Sequence, residues 1–256
     1  MIIYHEDLER EAEEIAKSAN KVFSECEVFS ERPEIENREL STLFDPIERF
    51  PDGFAFRTLQ KGSRKLRPPL NEATIEMVVT PRDIYDPSIK NAEDALYYAE
   101  NKSSEKWGSK IVVSVARLKS EDGSVSEGLE VPESHYLKRV AFWGVHELGH
   151  DLIDEDEADF KDVYAVNAKT GRKYSYGPHC PDNRCVMYEA IRIKTPDPAE
   201  RFMLFEGECG GGGGGGGDCG ESEPRYDGGL DDILERLYPN WLCEKCGIAR
   251  KTVSYT

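Results

Sequence analysis

Residues 132–150 read PESHYLKRVAFWGVHELGH, and the last five letters, His146-Glu147-Leu148-Gly149-His150, decide how the rest of the chain is read. Leu137, Val140, Ala141, Gly144, Val145 and Leu148 recur at spacings of three and four, the apolar stripe of an amphipathic helix. Ser134, after Pro132 and Glu133, is placed to cap its start. On such a helix His146 and His150 lie four residues apart and share a face, so both rings can point at one ion. Glu147 is rotated about 100° from His146 and sits beside that ion without having to bind it. This is the arrangement of a general base for metal-activated water. Zinc lowers the pKa of bound water toward about 7, which makes the chemistry available at neutral pH.

Downstream, residues 177–187 read GPHCPDNRCVM, and residues 243–246 read CEKC. The thiol pairs Cys180/Cys185 and Cys243/Cys246 can close a tetrahedral four-thiolate zinc site, structural because no coordination position stays open. The competing reading is a set of free thiols or a redox pair. Cys209 and Cys219 flank an unbroken run of glycines at 210–217, where they can pair or stay free. Cys26, alone on an expected strand, reads as a buried inert thiol. Short-spaced thiol pairs favour metal binding in a reducing compartment, so a cytoplasmic protein is expected.

Further out, composition excludes whole classes. Fifty acidic against thirty-three basic residues give a net charge of −17, the wrong sign for a protein that neutralises phosphates or binds an anionic membrane. No stretch is long and apolar enough to span a bilayer, and the opening MIIYHEDLEREAEE lacks the pattern of a secretory signal. The expected partner is a peptide or protein substrate, with no nucleic acid and no membrane, and a monomer is favoured. Leu8, Ala12, Ile15 and Ala19 mark a helix over residues 5–20. Strands are expected at 22–29, 53–59, 74–80 (TIEMVVT) and 111–118 (IVVSVARL), with mostly loop at 30–52. A last helix is expected around 230–237. The fold class is α+β: a mixed twisted sheet, an active-site helix, and a C-terminal part stapled by the four-cysteine site. A single domain over 1–256 accommodates insertions at about 151–178 and 188–240, the second glycine-rich over 207–220.

Together these motifs resemble the archaemetzincins, zinc peptidases of the metzincin clan. Their signature runs HExxHxxGxxHC, four residues, CxM, then a later CxxC; this chain supplies HELGH, HC-PDNR-CVM and CEKC in the same order. The resemblance covers roughly residues 72–246. It implies that His146, His150 and His179 bind a catalytic zinc and that Glu147 is the general base and acid. It implies that Met187 forms the apolar floor of a Met-turn. Cys180, Cys185, Cys243 and Cys246 would bind the second, structural zinc. The strand at 111–118, through Val113, Ser114 and Val115, would be the edge along which an extended peptide pairs.

The chain departs from that signature twice. Ile153 and Asp156 stand where the family has a glycine and the third histidine, and His179 comes 29 residues after His150. The rival third ligands are Glu155, Asp156, Glu157 and Asp159, although residues 151–159 also read as a solvated acidic face. Gly177 is placed to turn the chain into Pro178-His179. The second departure is the stretch of 55 residues between Met187 and Cys243. His5 and His135 read as ordinary histidines. A two-zinc scaffold without turnover, and a zinc hydrolase acting on a non-protein substrate, are the alternatives to a peptidase.

Overall fold

The computed structural model describes residues 2–4, 6–23, 44–47, 50–56, 75–81, 83–85, 96–97, 99–104, 108–167, 173–190, 193, 202–206, 225–226 and 229–250, and every structural statement below concerns these. The glycine run, Cys26, Cys209, Cys219 and His5 lie outside them. The chain divides into two compact units, Met1–Leu152 with Thr252–Thr256, and Ile153–Lys251.

The first unit begins with β1 (Ile2–Tyr4), a 3-10 turn at Glu6–Leu8 and α1 (Glu9–Val22). Then come β2 (Phe44–Ile47), β3 (Phe50–Phe56), β4 (Ile75–Thr80), β5 (Asp83–Tyr85), β6 (Leu96–Tyr97), β7 (Ala99–Ser104) and β8 (Gly108–Ser114). It ends in α2 (Glu133–Leu152), the helix that carries HELGH. One sheet has the order β1-β4-β8-β7, with the first three strands parallel and β7 antiparallel. Met77, Val79, Ile111, Val112 and Val113 are buried, which explains the nearly continuous apolar runs of β4 and β8. A second sheet has the order β2-β3-β5-β6.

Helix α2 packs against α1, β7 and β8. Its stretch Arg139–Gly149 is buried all round, including Phe142 and Trp143, so it is a core helix rather than one with a single apolar stripe. Ile15 of α1 meets α2 at Gly144, where the missing side chain admits the close approach. The Tyr136 hydroxyl donates to Glu11 Oε1 at 2.8 Å across the same contact. Arg139, fully buried, donates from Nη1 to the carbonyls of Leu118 (2.9 Å) and Ser120 (2.6 Å) and so ties the loop after β8 to α2. Arg117 grips Asp83 with both prongs, at 2.8 and 2.7 Å.

Several expectations change here. The strand expected over 111–118 ends at Ser114, and Val115–Leu118 turn away. It is also interior: Val113 pairs with Val79 on one side and Ala99 on the other, and Val115 N–H bonds the Thr80 carbonyl at 2.9 Å. Val113, Ser114 and Val115 therefore do not form the edge strand; β7 stands at that end of the sheet among the described strands. Its sequence AENKSS has few strand-forming letters, and the edge role of 111–118 was an implication of the family resemblance alone. Ser134 lies inside the first turn of α2, since the Pro132 carbonyl already accepts from the N–H groups of His135 and Tyr136. β2 and the start of β3 occupy a stretch expected to be loop.

The second unit contains β9 (Lys161–Asn167), β10 (Lys173–His179), β11 (Phe202–Glu206), β12 (Arg225–Tyr226), α3 (Leu230–Arg236) and α4 (Glu244–Ile248). The sheet order is β10-β9-β11-β12, antiparallel throughout. The insertion after HELGH therefore contains a pair of antiparallel strands. Gly177, at φ +85, sits at a bulge where the β9–β10 register shifts, not at a turn. The unit's start is fastened to its end: Ile153 bridges Arg250, and Asp154 N–H donates to the Ala249 carbonyl at 2.8 Å.

Candidate metal centres

In the first unit, His146 and His150 present rings on one face of α2, centroids 5.1 Å apart, with donor atoms within 4.8 Å of each other. His146 is 1% exposed and is held by Phe142, stacked at 5.9 Å, and by the edge of Trp143 at 5.4 Å. Glu147 is 6% exposed, a buried carboxylate one position beyond His146. The spacing read from the letters thus becomes a pair of imidazoles and an adjacent carboxylate on a rigid core helix.

In the second unit, His179 is the last residue of β10 and is buried. Its Nδ1 donates to the Gly177 carbonyl at 3.1 Å, and its Nε2 lies 2.5 Å from Glu189 Oε2. Burial alone pulls the imidazole's pKa down. The Glu189 carboxylate, aided by the Gly177 carbonyl and by Glu155, outweighs it and leaves His179 above the ordinary histidine value.

The four cysteines are all buried, and their Sγ atoms lie within 4.8 Å of one another. Cys180 Sγ and Cys243 Sγ are 3.6 Å apart, far beyond the roughly 2.05 Å of a disulfide. Tetrahedral zinc with Zn–S bonds of about 2.3 Å separates its sulfurs by about 3.8 Å, so the cluster has the size of a zinc–thiolate site. Backbone N–H groups of Asp182, Cys243 and Cys246 point at Cys180, Cys185 and Cys243 Sγ at 3.5, 3.4 and 3.5 Å. Hydrogen bonding from Cys180, Cys185 and Cys246 pushes the Cys243 thiol down, contacts with Cys180 and Cys243 push Cys185 up, and contacts with Cys180, Cys185 and Cys243 push Cys246 up. Four buried sulfurs this close together repel one another as thiolates when no cation lies among them. A cation would let all four ionise.

Local structure explains the convergence. Cys243 is the N-cap of α4, so the CEKC turn aims both of its sulfurs the same way. The segment from Cys180 to Met187 folds back on itself, with Cys180 N–H donating to the Met187 carbonyl at 2.9 Å and Cys185 N–H to Asp182 at 2.9 Å. Val186 N–H bonds the Trp241 carbonyl at 2.7 Å, Tyr238 OH bonds Asp182 at 2.9 Å, and Arg184 lies over the Tyr238 ring at 4.2 Å. Met187 is fully buried at the base of this loop.

The rival carboxylates are placed differently. Asp156, Glu157 and Asp159 are exposed, and Glu155 is half-buried. Asp159 pairs with Lys161 and with Lys245 Nζ at 2.9 Å, and these lysines hold its carboxyl at about 2. Among the described residues none of the four joins a cluster of three or more metal-ligating side chains. Glu189 is the group that sequence reasoning missed. It belongs to no spacing pattern, and only its position two residues past Met187 could have drawn notice.

No protein-family model matches the chain, and no curated protein matches it. Among solved structures, the chain is similar to the crystal structure of archaemetzincin from Archaeoglobus fulgidus complexed with malonate, at 19% identity and a TM-score of 0.45, with 97% of this chain and 99% of that one covered.

Proposed function

We propose that this chain is a zinc metallopeptidase of the archaemetzincin kind. His146, His150 and His179 hold the catalytic zinc, and Cys180, Cys185, Cys243 and Cys246 hold a structural one. The observation that carries the reading is the His146–His150 pair on one face of a buried helix with the buried Glu147 beside it. The donor chemistry fits: imidazoles suit a zinc that must bind water, and a compact four-thiolate cage suits one that need not. Zinc in the histidine site supplies a Lewis acid for the scissile carbonyl and lowers the pKa of the attacking water. Glu147 takes the proton of that water and delivers it to the leaving amine. Phe142 and Trp143 flank the His146 ring. Met187 provides the apolar floor. The substrate is a peptide or protein in extended form, and β7, which ends its sheet among the described strands, is the strand for it to pair with.

A second reading, a two-zinc binding protein without turnover, draws support from the Glu189 carboxylate set against the His179 ring. A peptide-library cleavage assay with a chelator control, run beside elemental analysis of wild type, His179→Ala and Glu147→Ala, tests both. The expected result is two zincs per chain falling to one in His179→Ala, with cleavage lost in Glu147→Ala at full zinc content. Undiminished cleavage by Glu147→Ala refutes the mechanism; two zincs and no cleavage in the wild type favour the second reading.

A further inference from the structure

Asp182 lies between Cys180 and Cys185, and most of its hydrogen bonds stay inside that turn. Its N–H points at Cys180 Sγ at 3.5 Å, its carbonyl accepts from Cys185 N–H at 2.9 Å, and Oδ1 accepts from Arg184 N–H at 2.9 Å. One bond leaves the turn: Oδ2 accepts from the Tyr238 hydroxyl at 2.9 Å, 56 residues along the chain. Tyr238 is held there by its backbone and its ring. Its N–H donates to the Arg184 carbonyl at 3.0 Å, and the Arg184 guanidinium lies 4.2 Å over the ring. From Tyr238 the chain turns at once, with Trp241 N–H on the Tyr238 carbonyl at 2.8 Å and Trp241 in the left-handed region at φ 69. A tryptophan enters that region only where the surroundings hold it there. The Trp241 carbonyl accepts from Val186 N–H at 2.7 Å, and two residues on, Cys243 N–H points at Cys185 Sγ at 3.4 Å.

We propose that Asp182 and Tyr238 are positioning residues of the four-thiolate site: their bond sets Cys180 and Cys185 against Cys243 and Cys246 without help from the metal, and so governs how tightly the cage takes a tetrahedral cation. The inference rests on the four-thiolate reading above. Neither residue is a ligand, since the four sulfurs lie within 4.8 Å of one another without them. Two thiol pairs on separate segments reach one ion only after the loop between them is closed. That cost falls on the metal unless another contact closes the loop first. The clasp suits this task, because its acceptor is a carboxylate and a charged acceptor makes the stronger hydrogen bond. Oδ1 ties the same carboxylate to the backbone of the turn, so the place of Tyr238 is passed on to the cysteines on either side of Asp182. Tyr238→Phe isolates the clasp, because it keeps the ring under Arg184 and removes only the hydroxyl.

The test titrates reduced, metal-free, full-length protein with cobalt(II) against a competing chelator. It follows the sulfur-to-cobalt charge-transfer bands, which a histidine site does not give. Wild type is compared with Tyr238→Phe, Asp182→Ala and the double variant. Tyr238→Phe is expected to weaken the cobalt affinity about fivefold or more, the effect of one lost hydrogen bond to a charged group. Asp182→Ala should weaken it further, because Arg184 N–H loses its acceptor as well. The double variant should match Asp182→Ala, since both changes remove the same bond. A bond that merely stabilised the fold would lower the urea midpoint and leave the cobalt affinity of the folded protein at the wild-type value. Tyr238→Phe at wild-type affinity therefore overturns the proposal, and so do losses that add in the double variant. Cys243→Ser separates the two levels. If that variant keeps the full charge-transfer intensity, the four-thiolate reading falls and this inference with it. If it loses intensity while Tyr238→Phe binds as wild type, only the inference falls.

Discussion

Replacing Gly144 by alanine probes the packing that positions the HELGH helix. A Cβ there would lie 2.5, 2.8 and 3.0 Å from Ile15 Cγ2, Cγ1 and Cδ1. Ordinary carbon–carbon contacts are about 3.5–4.0 Å, so the two nearest atoms are roughly 1 Å too close. Both are attached directly to the Ile15 β-carbon, so rotating the end of the side chain does not relieve them. Ile15 is fully buried, flanked on α1 by the equally buried Ala12 and Ala19. Alanine gains about 1 kcal/mol of helix propensity over glycine. Overpacking a tight core costs about 1–3 kcal/mol, and an overlap of this size belongs near the top of that range. The expected net loss is about 1–2 kcal/mol, read as a lower urea midpoint or a fall in Tm of about 2–8 °C. Ile15→Ala removes all three clashing atoms and by itself costs about 2–5 kcal/mol. In the double variant the added methyl enters space that Ile15 has vacated, so the two losses should sum to at least about 1 kcal/mol less than additivity. A Gly144→Ala protein stabilised by about 1 kcal/mol, or a strictly additive pair, refutes the close approach of α1 and α2. Gly144 is two residues from His146, so zinc content of the same variant shows how far the shift propagates.

Cys243→Ser removes one of four thiolates while keeping a side-chain acceptor at the N-cap of α4, and zinc per chain is expected to fall by one. Because a structural zinc supplies on the order of 10 kcal/mol of apparent folding energy, the second unit should become sensitive to limited proteolysis, as it should in the chelated wild type. Arg139→Met leaves the carbonyls of Leu118 and Ser120 without a buried donor that both use. The expected loss is about 2–4 kcal/mol in urea denaturation, since each unsatisfied buried group costs about 1–3 kcal/mol. In metal-free protein the raised His179 pKa means that its stabilisation is fully present below about pH 6.5 and is lost as pH rises through the folded value. The urea midpoint should therefore decline above pH 6.5, and Glu189→Gln should flatten that decline. Zinc uptake runs the other way, strengthening with pH because the metal takes the neutral ring; calorimetric affinities across the same range check this.

The parts of this protein legible in its letters are those whose geometry is local. Two histidines four apart on a helix face need nothing beyond the helix, and Cys243 and Cys246 need only one tight turn. Met77, Val79 and Thr80 of one strand and Ile111–Ser114 of the next announce themselves because they are buried on successive positions. What escaped depends on distant partners. β7 is a polar strand, AENKSS, defined by pairing with β8 rather than by its own composition, so the strand that ends this sheet among the described residues carries no signal in its letters. β2 holds Pro46 in a stretch that reads as loop, and only its pairing with β3 makes it a strand. Gly177 signalled a special backbone conformation correctly, but the sequence could not distinguish a bulge from a turn. Glu189 was invisible because a carboxylate's contact with His179 follows from how the 180–188 loop folds back, and no periodicity encodes that.

The four sulfurs come from two short segments joined by a long intervening stretch, residues 186–242. Closing a loop grows more costly only with the logarithm of its length, and doubling it adds about 0.6 kcal/mol. Against the order of 10 kcal/mol that a structural zinc contributes, that increment is slight. The connection is thus a natural port for grafting: a reporter protein spliced into the glycine run at 210–217 should leave both cysteine pairs able to find one another. By the same arithmetic, spacer length between the two pairs is a poor guide for recognising relatives of this chain, whereas the spacing inside each pair is confined to a few residues, four in Cys180/Cys185 and two in Cys243/Cys246.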